Sequence, residues 1–152
     1  MTPEERLAEL GLTLPQVVPP VAAYVPALRS GDHVYVSGQV PVSGGKVLAE
    51  GKVGAEIDPD RAKELARVCA LNGLAALKSV VGDLSNVVRI VKVVGFVASD
   101  PAFTGQPQVI NGASELFGEV FGEAGKHARS AVGVAALPLN VPVEVELIAE
   151  VR

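Results

Sequence analysis

Arg129 and Glu144 each interrupt a run that is otherwise almost wholly apolar, ARSAVGVAAL for the first and VPVEVELIAEV for the second. A guanidinium presents a planar fork of N–H donors that matches a carboxylate two to two, and a carboxylate can position or deprotonate a water molecule. Side by side, the two would hold a small carboxylic acid and bring water to it. The same two residues also read as a structural ion pair, buried or at an interface, since such pairs are common in folded chains. Pattern alone leaves both readings open. Strand alternation puts Val143, Val145 and Leu147 on one face of the last run and Glu144, Glu146 and Ile148 on the other. If residues 129 to 136 and 142 to 151 pair antiparallel through a loop at 137 to 141, Arg129 and Glu144 approach each other.

Tyr24, Ser37 with Gly38, and Asn111 are ordinary structural hydrogen-bonders taken singly, and gain meaning only in combination with Arg129. The glycine-rich stretch from Gly44 to Val53 departs from a phosphate loop: its last glycine comes one residue late and no Ser or Thr follows the lysine. No GxGxxG follows a strand, so a dinucleotide fold has no support. His33 and His127 have no partner at a repeating ligand interval and read as surface or hydrogen-bonded histidines. Cys69, the one cysteine, has no disulfide partner and lies on the apolar side of a helical pattern, where it acts as a small hydrophobe. The expected chemistry therefore uses no metal and no cofactor.

The elements that must carry these groups follow from periodicity. Thr2-Pro3-Glu4-Glu5 is a capping box opening a short helix that Gly11 ends, and Pro15, Pro19 and Pro20 impose an extended arm to about residue 20. Residues 24 to 29 and 33 to 40 form a hairpin around Ser30-Gly31-Asp32, with a further turn at Ser43-Gly44-Gly45. Asp58-Pro59 starts the longest helix, closed by Gly82, and VVRIVKVVGFVA at 87 to 98 is a strand rich in β-branched residues. A second helix spans about 107 to 121, and strands at 129 to 136 and 142 to 151 finish the chain. The order is ββαβαββ after a leading helix: an α+β fold with two helices packed on one face of a sheet. The other face, rich in Val and Ile, is left uncovered, and oligomerisation is the simplest remedy. With 152 residues and no linker or repeat, a single domain over 1–152 is expected.

A formal charge of −4 counts against a general affinity for nucleic acid, which rests on Lys and Arg meeting phosphates. No window approaches the roughly 18 unbroken apolar residues of a membrane span, and MTPEERLAEL lacks the basic start and apolar run of a signal peptide. A cytoplasmic location without membrane contact is expected.

The combination of motifs resembles the Rid family of reactive intermediate deaminases, also called the YjgF family. The likeness runs through Tyr24, Val36-Ser37-Gly38-Gln39-Val40-Pro41, Gly95-Phe96-Val97, Asn111 before Phe117, and Ala128-Arg129-Ser130 through Leu137-Pro138 to Val143-Glu144-Val145. The resemblance implies a chorismate-mutase-like fold assembled as a homotrimer with sites between subunits. It further implies that Arg129 pairs with the carboxylate of a 2-imino or 2-aminoacrylate-type acid while Glu144 positions or activates water. Ser37 and the backbone of Gly38 and Ala131 would line the pocket, and Tyr24 and Asn111 would shape it. Many relatives carry cysteine where this chain has Ala131, and often an aromatic residue where it has Ser114; residues 42 to 57 are longer than usual. The resemblance also admits a non-catalytic trimer that binds a carboxylate metabolite, and more remotely a ribonuclease, against which the acidic charge and the lack of a histidine pair argue.

Overall fold

The computed structural model describes residues 1–17 and 22–152. Helix α1 runs Pro3–Glu9, with both halves of the capping box formed between Thr2 and Glu5 and a left-handed Gly11 just past its end. It buries Leu7, and Glu4 ties it down by accepting from Lys78 Nζ at 2.9 Å and from the Leu84 amide at 2.7 Å. Pro15 lies outside any helix or strand, while Pro19 and Pro20, part of the expected extended arm, fall outside the described residues.

The hairpin comprises β1 (Ala27–Ser30) and β2 (His33–Gln39). Its first strand starts three residues later than its β propensity suggests, because Pro26 has no N–H to give to a ladder. The Ser30-Gly31-Asp32 turn forms in the expected place. A two-stranded ribbon, β3 (Val42–Ser43) with β4 (Lys46–Val47), forms around Gly44-Gly45. Helix α2 (Pro59–Val81) is capped by Asp58, which accepts from the Asp60 amide, and ends at Gly82 in a left-handed conformation. Strand β5 (Val87–Ala98), helix α3 (Gln106–Phe121), β6 (Ala128–Val134) and β7 (Val143–Val151) complete the order.

One expectation fails here. The two last strands are not neighbours: the sheet order is β1-β2-β7-β5-β6, with β7 antiparallel to both β2 and β5, and β6 parallel to β5 at the sheet edge. The reason lies in β5-α3-β6. A helix returning over one face of a sheet brings the following strand in parallel to the preceding one, so β6 takes one side of β5 and leaves the other to β7.

Helices α2 and α3 cover a single face, as expected. Leu65, Cys69 and Leu77 of α2 and Ile110, Leu116 and Phe117 of α3 are fully buried against the alternate side chains Val143, Val145, Leu147, Ala149 and Val151 of β7. Gly95 in the middle of β5 lets α3 close down, since a Cβ there would overlap the Ile110 side chain. On the other face Leu28, Tyr35 and Val132 are exposed and Ile148 and Val94 half-buried, so among the described residues no layer covers this apolar surface. Among the described residues no helix is long and apolar enough to cross a membrane.

Candidate functional site

Arg129 is the second residue of the edge strand β6 and sits in register with the fully buried Val93. Partners in a ladder share a face, so its side chain rises on the helix side of the sheet toward the start of α3. There Nη1 donates to Asn111 Oδ1 at 2.8 Å and to Ser114 Oγ at 3.2 Å. Asn111 and Ser114 stand three residues apart on α3 and therefore share one stripe of the helix. Both hydrogens of Nη1 are thereby committed. Of the five N–H donors of a guanidinium, the one on Nε and the two on Nη2 remain, and these form the edge that accepts a carboxylate side-on.

Behind this contact stands His127. Its Nε2 is 2.9 Å from Ser114 Oγ and its Nδ1 is 2.6 Å from the Gly125 carbonyl, with the ring set edge-on to Phe117 at a centroid distance of 5.8 Å. Burial pushes the imidazole pKa down; the hydrogen bond to the Gly125 carbonyl pulls it up by less, and the Arg129 charge adds a weaker downward push.

Glu144 belongs to a second cluster. It is half-buried, and because Val143 and Val145 face the helices, alternation turns it to the opposite, open face. Burial raises its carboxyl pKa, and the neighbouring Glu146 carboxylate adds to the effect. Gly38 lies directly against it, such that a Cβ on Gly38 would overlap the Glu144 carboxylate. That approach depends on a bulge: from Val36 to Gln39 strand β2 advances three residues while β7 advances only from Leu147 to Val145. Ser37, inside the bulge, donates its hydroxyl to the Val25 carbonyl at 2.6 Å and its amide to the Pro26 carbonyl at 2.9 Å. It thus carries the hairpin past the proline and fixes the segment holding Tyr24. Tyr24, exposed, lines an open cleft of about 500 Å³ with Leu28, Tyr35, Ser37 and Glu146.

The residues singled out in the sequence thus fall into two groups. Arg129 and Asn111 meet on the helix side of the β6 edge, with Ala131 two residues along that strand in register with Gly95. Tyr24, Ser37, Gly38 and Glu144 gather around the bulge of β2. Arg129 is level with Leu147 two strands away, whereas Glu144 lies three residues further along β7. At about 4.8 Å per strand and 3.3 Å per residue, their α carbons are roughly 14 Å apart, on opposite faces. The direct Arg129–Glu144 approach, and with it an ion pair within one chain, is therefore excluded. Cys69 is fully buried, its thiol pushed well above the ordinary range by burial first and by the Glu144 charge second, in keeping with a small hydrophobe.

The family model described as "YjgF/chorismate_mutase-like, putative endoribonuclease" matches residues 4–151. The chain belongs to the YjgF family. Protein TCP17 of Trypanosoma cruzi is 42% identical over 147 residues, covering 96% of this chain and 92% of the relative. The crystal structure of Atu1372 from Agrobacterium tumefaciens superposes with a TM-score of 0.93 at 49% identity, covering 99% of this chain and 92% of the other. Escherichia coli TdcF, solved with bound serine, superposes at a TM-score of 0.62 with 28% identity, covering 90% of this chain and 94% of the other. The YjgF fold expected from the motifs is the fold observed.

Within this YjgF chain, two residues at the arginine escaped the initial reading as partners of Arg129: Ser114, noted only as a departure, and His127, read singly. The signal was present in spacing. His127 and Arg129 are two apart in extended chain, hence on one side of it, just as Asn111 and Ser114 share a helix stripe.

Proposed function

We propose that this protein hydrolyses reactive 2-imino acids, including those formed from 2-aminoacrylate-type acids, to 2-oxo acids and ammonia, in sites completed between protomers of a homotrimer. The observation that carries the reading is the state of Arg129: with Nη1 committed to Asn111 and Ser114, its Nε and Nη2 edge is set to take a substrate carboxylate. The division of the site supports the assembly. Arg129 sits at the β6 edge and Glu144 on the apolar face that the described residues leave open; in the proposed assembly a second copy covers that face and reaches around the β6 edge, where its Glu144 cluster meets the first copy's Arg129.

The chemistry asks little beyond orientation and proton transfer, because an imine carbon is already electrophilic. Water adds to that carbon while Glu144 removes its proton. The same carboxyl then returns that proton to nitrogen to give a carbinolamine, and afterwards carries the hydroxyl proton to the amine as the C–N bond breaks, leaving the 2-oxo acid and ammonia. A carboxyl whose pKa is raised by burial is better matched to these proton transfers than an ordinary one. Ser37, its hydroxyl hydrogen spent on Val25, keeps lone pairs to accept from the substrate nitrogen; Gly38 and Ala131 contribute backbone, and Tyr24 the wall. No cofactor enters these steps, and the expected location is cytoplasmic.

The test is a coupled assay in which an amino-acid oxidase or dehydratase generates 2-imino acids and 2-oxo acid release is followed with and without the protein. Acceleration that vanishes in Arg129→Ala is the expected result; unchanged imine hydrolysis in that variant, or no acceleration across a broad imine panel, overturns the reading.

A second reading, a non-catalytic trimer that binds a carboxylate metabolite, is favoured by the bound serine of TdcF, a small molecule bearing a carboxylate. Tight binding of 2-oxo or amino acids without turnover of any imine would select it. Cleavage of RNA, suggested by the family description, would have to persist through repurification and vanish in Arg129→Ala to count for this site.

A further inference from the structure

The hydrogens behind Arg129 can be counted. The Gly125 carbonyl can only accept, so the contact at 2.6 Å requires a proton on His127 Nδ1. In the neutral ring Nε2 is then an acceptor, and the contact at 2.9 Å makes Ser114 the donor to it. With its only hydrogen spent, Ser114 Oγ meets Arg129 as an acceptor at 3.2 Å. With the ring neutral, every hydrogen in the chain Arg129 to Ser114 to His127 to Gly125 has a single acceptor, and no other direction satisfies all the contacts. The ring itself has little freedom, clamped edge-on by Phe117, which is fully buried.

Charges packed around the imidazole leave this polarity undisturbed. From α3, Glu115 beside Ser114 is engaged by Lys63 at 3.2 Å, and the turn at 122 to 125 contributes Glu123, paired to Lys126 at 2.9 Å. From β5, Arg89 donates to the Lys126 carbonyl, and Lys92 lies opposite Ala128. Of the charged groups, Arg129 is the one that acts on the imidazole, and it acts with burial to lower the ring's pKa.

We propose that Ser114 and His127 are positioning residues for Arg129: their relay holds one hydrogen of Nη1, Asn111 holds the other, and the guanidinium is locked with its Nε and Nη2 edge turned outward to the ligand carboxylate. This rests on the reading that Arg129 binds a carboxylate. A long flexible arginine otherwise surrenders side-chain entropy when its ligand binds, and a relay that fixes it beforehand lowers that cost. The effect belongs to affinity for the carboxylate, and less to the hydrolytic step performed around Glu144.

Calorimetric titration with 2-oxobutanoate, alongside KM and kcat for the corresponding imine, tests it in Ser114→Ala, Ser114→Thr, His127→Phe, the Ser114→Ala/His127→Phe double variant, and each of these in an Arg129→Lys background. Loss of one hydrogen bond to a charged group predicts a roughly tenfold weaker Kd and higher KM in Ser114→Ala, with kcat changed far less. His127→Phe should match it, the double variant should be no worse than either single one, and Ser114→Thr, which keeps the hydroxyl, should restore binding. In the Arg129→Lys background none of these changes should matter. Wild-type affinity in Ser114→Ala, additive losses in the double variant, or losses that persist without Arg129 would overturn the relay, and so would an absence of Arg129-dependent binding. Binding that follows the expected pattern without imine turnover would overturn only the hydrolase reading.

Discussion

The arginine cluster and the glutamate cluster solve opposite problems. Arg129 is held by neutral acceptors on the helix side, with Asn111 and Ser114 taking defined hydrogens. The Glu144 carboxylate accepts no hydrogen bond among the described residues; it is half-buried beside a second carboxylate, against the bare backbone of Gly38. The difference teaches that a binding group and a proton-transfer group want different surroundings. A cation that must present two donors in a plane gains from being fixed, whereas a carboxylate that must exchange a proton gains from being kept short of partners.

Removing either charge is the severest way to break that contrast. Glu144→Gln should lower kcat by about a hundredfold or more, the usual weight of a positioned acid–base group. Its melting temperature at neutral pH should be no lower than wild type. The sign follows from the raised pKa: the folded state disfavours the ionised carboxyl, a cost absent at low pH and fully present above the folded-state pKa, and Gln removes it. By the same shift, wild-type kcat/KM should fall on acidification from a pH above the ordinary carboxylate range, and a pH–rate profile with its acid limb at the usual Glu value would contradict the role given to Glu144. Arg129→Lys should lose about a hundredfold in kcat/KM, since an ammonium cannot offer two coplanar donors.

Mixing sharpens the comparison. If each site takes its arginine from one protomer and its glutamate from another, Arg129→Ala and Glu144→Gln chains, inactive alone, should regain about a quarter of wild-type activity after unfolding and refolding together in equal amounts, the statistical share of sites drawing both intact residues. No recovery would place both residues of a site in one chain and contradict the shared-site reading.

A smaller effect is expected at Gly38→Ala. Its methyl group must displace the Glu144 carboxylate, and a misplacement of about an ångström costs up to a hundredfold in rate. KM for the imine should move much less, because Arg129 is untouched. Smallest of all, Arg67→Ala removes the partly exposed pair to Glu119 between α2 and α3 and should change stability by no more than about 1 kcal/mol in a denaturant titration, with activity intact.

Much of the scaffold was legible because its signals are local. Strand β5 occupies the residues its β-branched run marks, and α2 lies between the Asp58-Pro59 start and the Gly82 stop. Pairing was misread where it depends on the whole chain: nothing within residues 128 to 151 says that β5 separates the last two strands, and only the β-α-β rule applied to α3 does so. Family motifs pointed to Arg129, Asn111, Glu144 and Gly38, but the faces on which they stand followed from register. Ser114 was legible only as a departure from relatives, since its meaning depends on a histidine thirteen residues away.

The extra residue in β2 between Val36 and Gln39 sets a rule for how this chain can vary. Deleting one residue there would restore regular pairing with Gln39 still opposite Val145, and would remove the local kink that sets Gly38 against the Glu144 carboxylate. Glu144 would then lose the bare backbone that now lies against it. Substitutions around residues 37 and 38 are graded in their consequences, whereas a change of length is all or nothing, and a relative lacking that one residue would need its proton-transfer chemistry built from other groups.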